Sequence, residues 1–145
     1  MSEVRVGVRK LDDSARMPER ATEGSACFDL HALEFDIVAP ETTGAIRTGL
    51  AVEVPVGYAM FVFSRSGHAI KANVGLGNVV GVIDSDYRGE VKVLVRNSGK
   101  SDFVIHAGDR VAQALVLPIP RVELVECVEL SDTDRGDGGF GSTGR

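Results

Sequence analysis

The chain has no tryptophan, only 6% aromatic residues and two cysteines, Cys27 and Cys127. That pair makes neither a disulfide framework nor a zinc-ligand spacing, which fits a reducing compartment. Both thiols are expected to be small buried apolar residues. Positive charge is scarce too: 16 Lys and Arg face 21 Asp and Glu, a formal net charge of −5. No basic field is left to hold a nucleic acid, so any phosphate must be bound by local donors, which favours a small anionic ligand over a polymer. Long apolar runs are missing. The longest uncharged stretch, Ala72 to Ile83, is far short of the roughly 20 apolar residues of a membrane-spanning helix. The start, Met-Ser-Glu-Val-Arg-Val, lacks the apolar segment of a signal peptide. A soluble, intracellular protein with no membrane or nucleic-acid partner is expected. Neither a Gly-x-Ser-x-Gly elbow nor a phosphate-loop Gly-x4-Gly-Lys-Ser/Thr occurs. His31, His68 and His106 lie far apart, and structural or solvent-facing roles are expected for them.

What is present describes a β protein. At 145 residues the chain suits one domain with a core of its own. Apolar residues alternate with polar or small ones at Val4–Val8, Leu50–Val54 and Val91–Val95, the period of half-buried strands. Further β-rich runs are Tyr58–Phe63, Val79–Ile83, Val111–Leu117 and Arg121–Val128. Turn signals separate them at Pro55–Gly57, Asp86–Gly89, Asn97–Gly99 and Ala107–Asp109. Short strands at this spacing indicate a sandwich or barrel. Only Ser66–Ala72 reads as helical, and Ser14–Ser25 as an irregular connection. A β domain over residues 1–130 is followed by a polar, Gly-rich arm over 131–145.

Five stretches carry candidate chemistry. In Ser64-Arg-Ser-Gly-His-Ala-Ile-Lys-Ala72 a strand passes into the helix; Arg65, Ser66 and free N–H groups suit an anion, while a capped turn with a surface arginine explains the same residues. The apolar run ending in Asp84-Ser-Asp-Tyr87 places a carboxylate and a ring at a sheet edge. Such a carboxylate can serve as general base toward water, with the ring packing on a sugar, or the Asp-x-Asp pair can hold a metal; Asp86 and Gly89 suit a turn. Gln113, within an apolar strand, must find hydrogen-bond partners in the core or on a ligand, and Asp29 poses the same question. The closing stretch from Arg135 is either a disordered polar tail or an anion-binding arm. Glycines turn N–H groups toward a ligand, Arg135, Ser142, Thr143 and Arg145 add donors, and Phe140 can cover a flat ring.

Taken in order, five segments resemble the five motifs of the trimeric deoxyuridine triphosphatase (dUTPase) family: Ala26-Cys-Phe-Asp-Leu30, Arg65-Ser-Gly67, Gly77 to Gly89, Gly108-Asp-Arg-Val-Ala-Gln113, and Arg135 to Gly144. The third and fifth are long and specific, and the resemblance covers nearly the whole chain. It departs in two places: Cys27 stands where glycine is common, and His68 follows Arg-Ser-Gly where leucine is usual.

The resemblance implies an all-β, jelly-roll-like (β-clip) subunit with one short helix and a flexible C-terminal arm, assembled as a homotrimer with active sites at the subunit interfaces. It implies hydrolysis of dUTP to dUMP and pyrophosphate by in-line attack of water on the α-phosphorus, which supplies dUMP for dTMP synthesis and keeps uracil out of DNA. By position, Asp84 matches the water-activating carboxylate and Tyr87 the ring under the deoxyribose. Asn78, with Val82 and Ile83, belongs to the hairpin that reads uracil. Arg65, Ser66, Gly67 and Gln113 match phosphate contacts. Asp29, and Gln113 with it, match positions near a Mg²⁺ carried by the phosphates, with no direct protein ligand. In the arm, Arg135, Ser142 and Thr143 match γ-phosphate contacts, Phe140 the cover over uracil, and Gly141 a further substrate-binding position. Two rival readings share these features: a dCTP deaminase or bifunctional deaminase-dUTPase of the same fold, and a β-sandwich binding or regulatory module that holds dUTP without turnover or recognises a protein partner.

Overall fold

Apolar alternation builds antiparallel sheets. The computed structural model describes residues 3–144. In chain order the strands are β1 (Gly7–Lys10), β2 (Phe28–His31), β3 (Asp36–Val38), β4 (Thr42–Glu53), β5 (Tyr58–Phe63), β6 (Val74–Leu76), β7 (Gly81–Ile83), β8 (Glu90–Asn97), β9 (Phe103–Ile105) and β10 (Arg110–Pro118), with one helix, α1 (Ser66–Ala72), between β5 and β6. One sheet has the order β1-β4-β8-β6, the second β2-β10-β5-β7, and β3 pairs with β9 in a small ribbon.

β8 shows how the pattern works. Val91, Val93 and Val95 are buried, while Lys92 and Leu94 point outward, as a period of two requires. The buried valines meet Ile46 and Val52 of β4, Met60 and Val62 of β5, and Val111, Ala112 and Ala114 of β10 in one core that both sheets share. Each large aliphatic side chain so buried contributes about 1.5–3 kcal/mol. A polar residue survives in this core because it is fully paired. The Asn97 amide, 1% exposed, donates to the carbonyls of Val38 and Ser101 and accepts from Gly99 N–H at 2.9 Å, which ties the end of β8 to its turn and to β3.

The long strand β4 bends at a bulge between Arg47 and Ala51. Gly49 sits there with φ +68°, and a Cβ on it would lie 2.9 Å from both Ala15 and Leu33, so only glycine fits. Glu90, the first residue of β8, holds the bulge by accepting from Gly49 N–H at 3.0 Å and from Arg47 Nε at 3.1 Å.

The predicted helix Ser66–Ala72 and strand Tyr58–Phe63 have the observed bounds. Other expectations change. Val79 lies outside β7, in a turn, with φ +64°; Asn78 C=O accepts from Val80 N–H at 2.6 Å, and that closure stops the strand short. Arg121–Val128 is not a strand. Its apolar side chains stand in solvent, Leu124 at 93% exposure and Val128 at 103%, because no neighbouring strand within the chain pairs with it. Cys127 is exposed there, and Cys27 is only half-buried, so neither thiol is the core residue expected.

His31 is buried, and its Nδ1 lacks a hydrogen-bond partner. Burial, with Arg16 nearby, lowers its pKa below the ordinary value. Folding therefore favours the neutral ring. Its contribution to stability is fully present above about pH 6.5, the ordinary histidine value, and is lost as pH falls through the lowered folded-state value. Urea midpoints measured from about pH 8 to about pH 5 should show His31→Leu losing less stability on acidification than the parent; parallel curves would exclude His31 as the source.

Candidate functional site

The turn after β6 and the turn after β7 build the first half of the site. β6 belongs to one sheet and β7 to the other, so residues 77–80 cross between the sheets at their edge. Gly77 N–H donates to Leu94 C=O at 2.8 Å and Val79 N–H to Leu76 C=O at 3.1 Å; these bonds fix the turn while Asn78 stays exposed. Val79 holds the left-handed conformation that β-branched residues avoid, a strain that local closure of the turn must offset.

β7 then runs beside β5, with Val62 opposite Gly81 and Met60 opposite Ile83, and Asp84 follows its last residue. Asp84 C=O accepts from Tyr87 N–H at 3.2 Å, so the turn begins at Asp84 and frees it from the strand alternation that would have set it beside Asp86. Tyr87 is held from the other side, its hydroxyl donating to Glu90 C=O at 3.0 Å. Gly89 is needed for that pose, since a Cβ there would overlap the Tyr87 hydroxyl. The result is an open depression of about 450 Å³ lined by Asn78, Gly81, Val82, Ile83, Asp84 and Tyr87. It has an apolar floor, a carboxylate and a ring at the rim, and exposed backbone in the turn.

The second half lies elsewhere on the chain. A depression of about 320 Å³ is lined by Asp29, Arg65, Ser66, Gly67 and Gln113, together with Cys27 and Arg110. Asp29 pairs with Gln113 across β2 and β10, and Gln113 Nε2 donates to Ser64 C=O at 2.9 Å. That bond answers half the question raised by this glutamine: its amide is tied into the strand-to-helix connection while it also faces the depression. Arg65 occupies the N-cap position of α1, and no side chain caps the helix. Its Nε lies 3.3 Å from Asp29 Oδ1. His68 turns away from this group, packing edge-on against Phe103 with ring centroids 5.2 Å apart. Burial, then the Arg65 charge, lowers its pKa, so the ring adds no positive charge beside Arg65 at neutral pH.

The arm meets neither depression. Beyond Ile119, whose N–H donates to Gly57 C=O at 2.7 Å, the hydrogen bonds of the described residues are all local turns, such as Ser142 N–H to Gly139 C=O and Arg135 Nε to Gly138 C=O at 2.9 Å. Phe140 is fully exposed. Arg135, Phe140, Gly141, Ser142 and Thr143 are thus not brought to Asp84 or Arg65 within one chain. Arg145 lies outside the described residues. No group of three or more His, Cys, Asp or Glu among the described residues is placed to hold a metal, and no described helix is long and apolar enough to cross a membrane.

Arg110 is the residue that sequence reasoning missed. In a regular strand Arg110 and Gln113, three apart, face opposite sides. β10, however, is bulged between Arg110 and Ala112 against β2, and the adjacent Val111 and Ala112 are both buried. The bulge turns Arg110 to the face of Gln113, and no residue type marks that turn in advance.

The dUTPase family model matches residues 13–144. The chain belongs to the dUTPase family. It is 42% identical over 141 residues to the deoxyuridine 5'-triphosphate nucleotidohydrolase of Helicobacter pylori strain J99, covering 97% of each chain. Among solved structures, the dUTPase of Staphylococcus bacteriophage 80alpha with dUPNHPP superposes with a TM-score of 0.91 at 28% identity, covering 97% of this chain and 99% of that one. A variant of the dUTPase from phage phi11 of S. aureus, solved with a structural Mg(II) ion, superposes with a TM-score of 0.80 at 27% identity over 86% of this chain and 97% of that one. The all-β expectation with one short helix holds for this dUTPase fold.

Proposed function

We propose that this dUTPase hydrolyses dUTP to dUMP and pyrophosphate at a site assembled from several copies of the chain, with the base and sugar held by one depression and the triphosphate by the other. The observation that carries the reading is the separation itself. Asn78, Gly81, Val82, Ile83, Asp84 and Tyr87 of the third motif line one depression, Asp29 of the first, Arg65, Ser66 and Gly67 of the second and Gln113 of the fourth line another, and the fifth motif reaches neither. Copies related by rotation bring unlike surfaces together, and a homotrimer joins the three parts in each of three equivalent sites. The exposed apolar stretch Val122–Leu130 supports this, since a monomer gains nothing from leaving it in water.

In the proposed site Asn78 and the backbone of its turn read the uracil edge, with Val82 and Ile83 beneath. Tyr87 packs under the deoxyribose, where a 2′-hydroxyl would collide. Asp84 takes a proton from the water that attacks the α-phosphorus in line, forming the new P–O bond as the bond to the leaving pyrophosphate breaks. Arg65, Ser66, Gly67 and Gln113 meet the developing charge on the phosphate oxygens with donors already in place. Arg135, Ser142 and Thr143 close on the γ-phosphate and Phe140 over the base, with Gly141 a further substrate contact, so residues 131–145 act as a lid on the domain that precedes them.

The donor set fits Mg²⁺ carried by substrate. One carboxylate, Asp29, faces the phosphate-binding depression, and Mg²⁺ keeps several waters and binds through phosphates plus one or two carboxylates rather than an all-protein cage. Asp29 and Gln113 would meet its waters. When bound, the ion neutralises charge on the triphosphate. The reaction supplies dUMP for dTMP synthesis and keeps uracil out of DNA, a role that places the enzyme inside the cell.

A pyrophosphate-release assay with dUTP, dTTP, dCTP and UTP side by side, with and without Mg²⁺, tests this reading. Turnover of dUTP alone, dependent on Mg²⁺, is expected; ammonia release from dCTP would replace it with a deaminase. Tyr87→Ala should weaken discrimination against UTP, and an unchanged dUTP/UTP ratio of kcat/KM would remove the ring from sugar selection.

A further inference from the structure

Asp29 is shared by two arginines. Arg65 Nε lies 3.3 Å from its Oδ1 and Arg110 Nη1 3.4 Å from its Oδ2, and the carboxylate is only 12% exposed. Arg65 is held a second time, its Nη1 donating to the Arg110 backbone carbonyl at 3.3 Å. The arginine that matches a phosphate contact is thus engaged by a carboxylate and a carbonyl. Arg65 keeps further N–H donors on Nη1 and Nη2 for phosphate oxygens, and the more its charge is drawn to them the less it compensates Asp29. A carboxylate so little exposed, left without a cation, bears its desolvation cost uncompensated.

We propose, resting on the dUTPase reading above, that Arg110 is a positioning residue. It keeps Asp29 in place and charge-balanced while Arg65 turns its remaining donors to the substrate phosphates. The bulge in β10 is what makes this possible, because it brings Arg110 to the Gln113 face of the strand, and bulges re-aim side chains in this way beside active sites. Charge accounting supports the assignment. Arg65, Arg110 and Asp29 together carry one net positive charge, so the depression attracts an anion. Without Arg110 the remaining pair is neutral, and Arg65 alone must serve both Asp29 and the phosphates.

The test is a double-mutant cycle on the full-length enzyme with dUTP and Mg²⁺, reading kcat and KM separately alongside thermal midpoints. Arg110→Gln is expected to lower kcat/KM by about 10–100-fold, the scale seen when a partner orienting a metal-site carboxylate is removed. In an Asp29→Asn background, where no charge needs holding, the same change should cost less than about 2-fold, a coupling that only interacting residues show. Arg110→Lys retains the charge without the planar fork and should recover part of the loss; it also serves as the second arm of the cycle if Arg110→Gln does not fold. Equal losses in both backgrounds, or no loss in either, would overturn the proposal while leaving the dUTPase reading intact. A parent enzyme inactive on dUTP would overturn that reading, and this proposal with it.

Discussion

Replacing Asp84 by Asn should lower dUTP turnover by roughly 10²–10⁴-fold, the contribution typical of a positioned general base, while dUTP still binds. The substitution keeps the shape of the side chain and removes only its capacity to take a proton. Asp84 follows β7 and starts the turn that seats Tyr87, and that turn is made by backbone groups, Tyr87 N–H to Asp84 C=O and Tyr87 O–H to Glu90 C=O. Neither bond involves the Asp84 carboxylate. Folding and sugar binding should therefore survive, so the defect should fall on kcat rather than on dUTP affinity measured by calorimetry. Near-normal turnover would remove Asp84 from proton transfer.

Deleting residues 135–145 should abolish most activity and move the thermal midpoint by no more than about 1–2 °C, as expected for a segment without core contacts. After Ile119 no described hydrogen bond joins the arm to the sheets, and Phe140 is 114% exposed. Ordering eleven such residues costs on the order of 10–20 kcal/mol in backbone entropy, so closure requires the contacts that a triphosphate and a base supply. Phe140 and Gly141 already hold left-handed backbone, at φ 51° and 92°, which suits a chain that turns tightly around a ligand. A large fall in the unfolding midpoint would instead make the arm part of the folded core.

Local pattern was legible where one interaction dominates. The valine alternation of β8 and the bounds of α1 follow from periodicity and flanking residues, and the third motif could be read because its residues are consecutive and so stay together whatever the rest of the fold does. Legibility fails where distant backbone decides. Val79 is apolar and β-branched, yet a bond closing the turn from Asn78 to Val80 takes it out of the strand. Arg121–Val128 has strand composition but finds no partner strand within its own chain. Arg110 joins Gln113 only because β10 is bulged. Separation of the motifs into two depressions is likewise invisible in a linear order that lists them as one set.

Mixing tests that separation most directly. Asp84→Asn and Arg65→Ala chains carrying different tags, co-expressed and purified through both tags, form rings in which no single chain has both residues intact. If Asp84 and Arg65 of one site come from different copies, one site in each mixed ring of three is restored, giving about a third of the parent activity from two inactive variants. Mixed rings as inactive as either variant alone would contradict a site shared between chains.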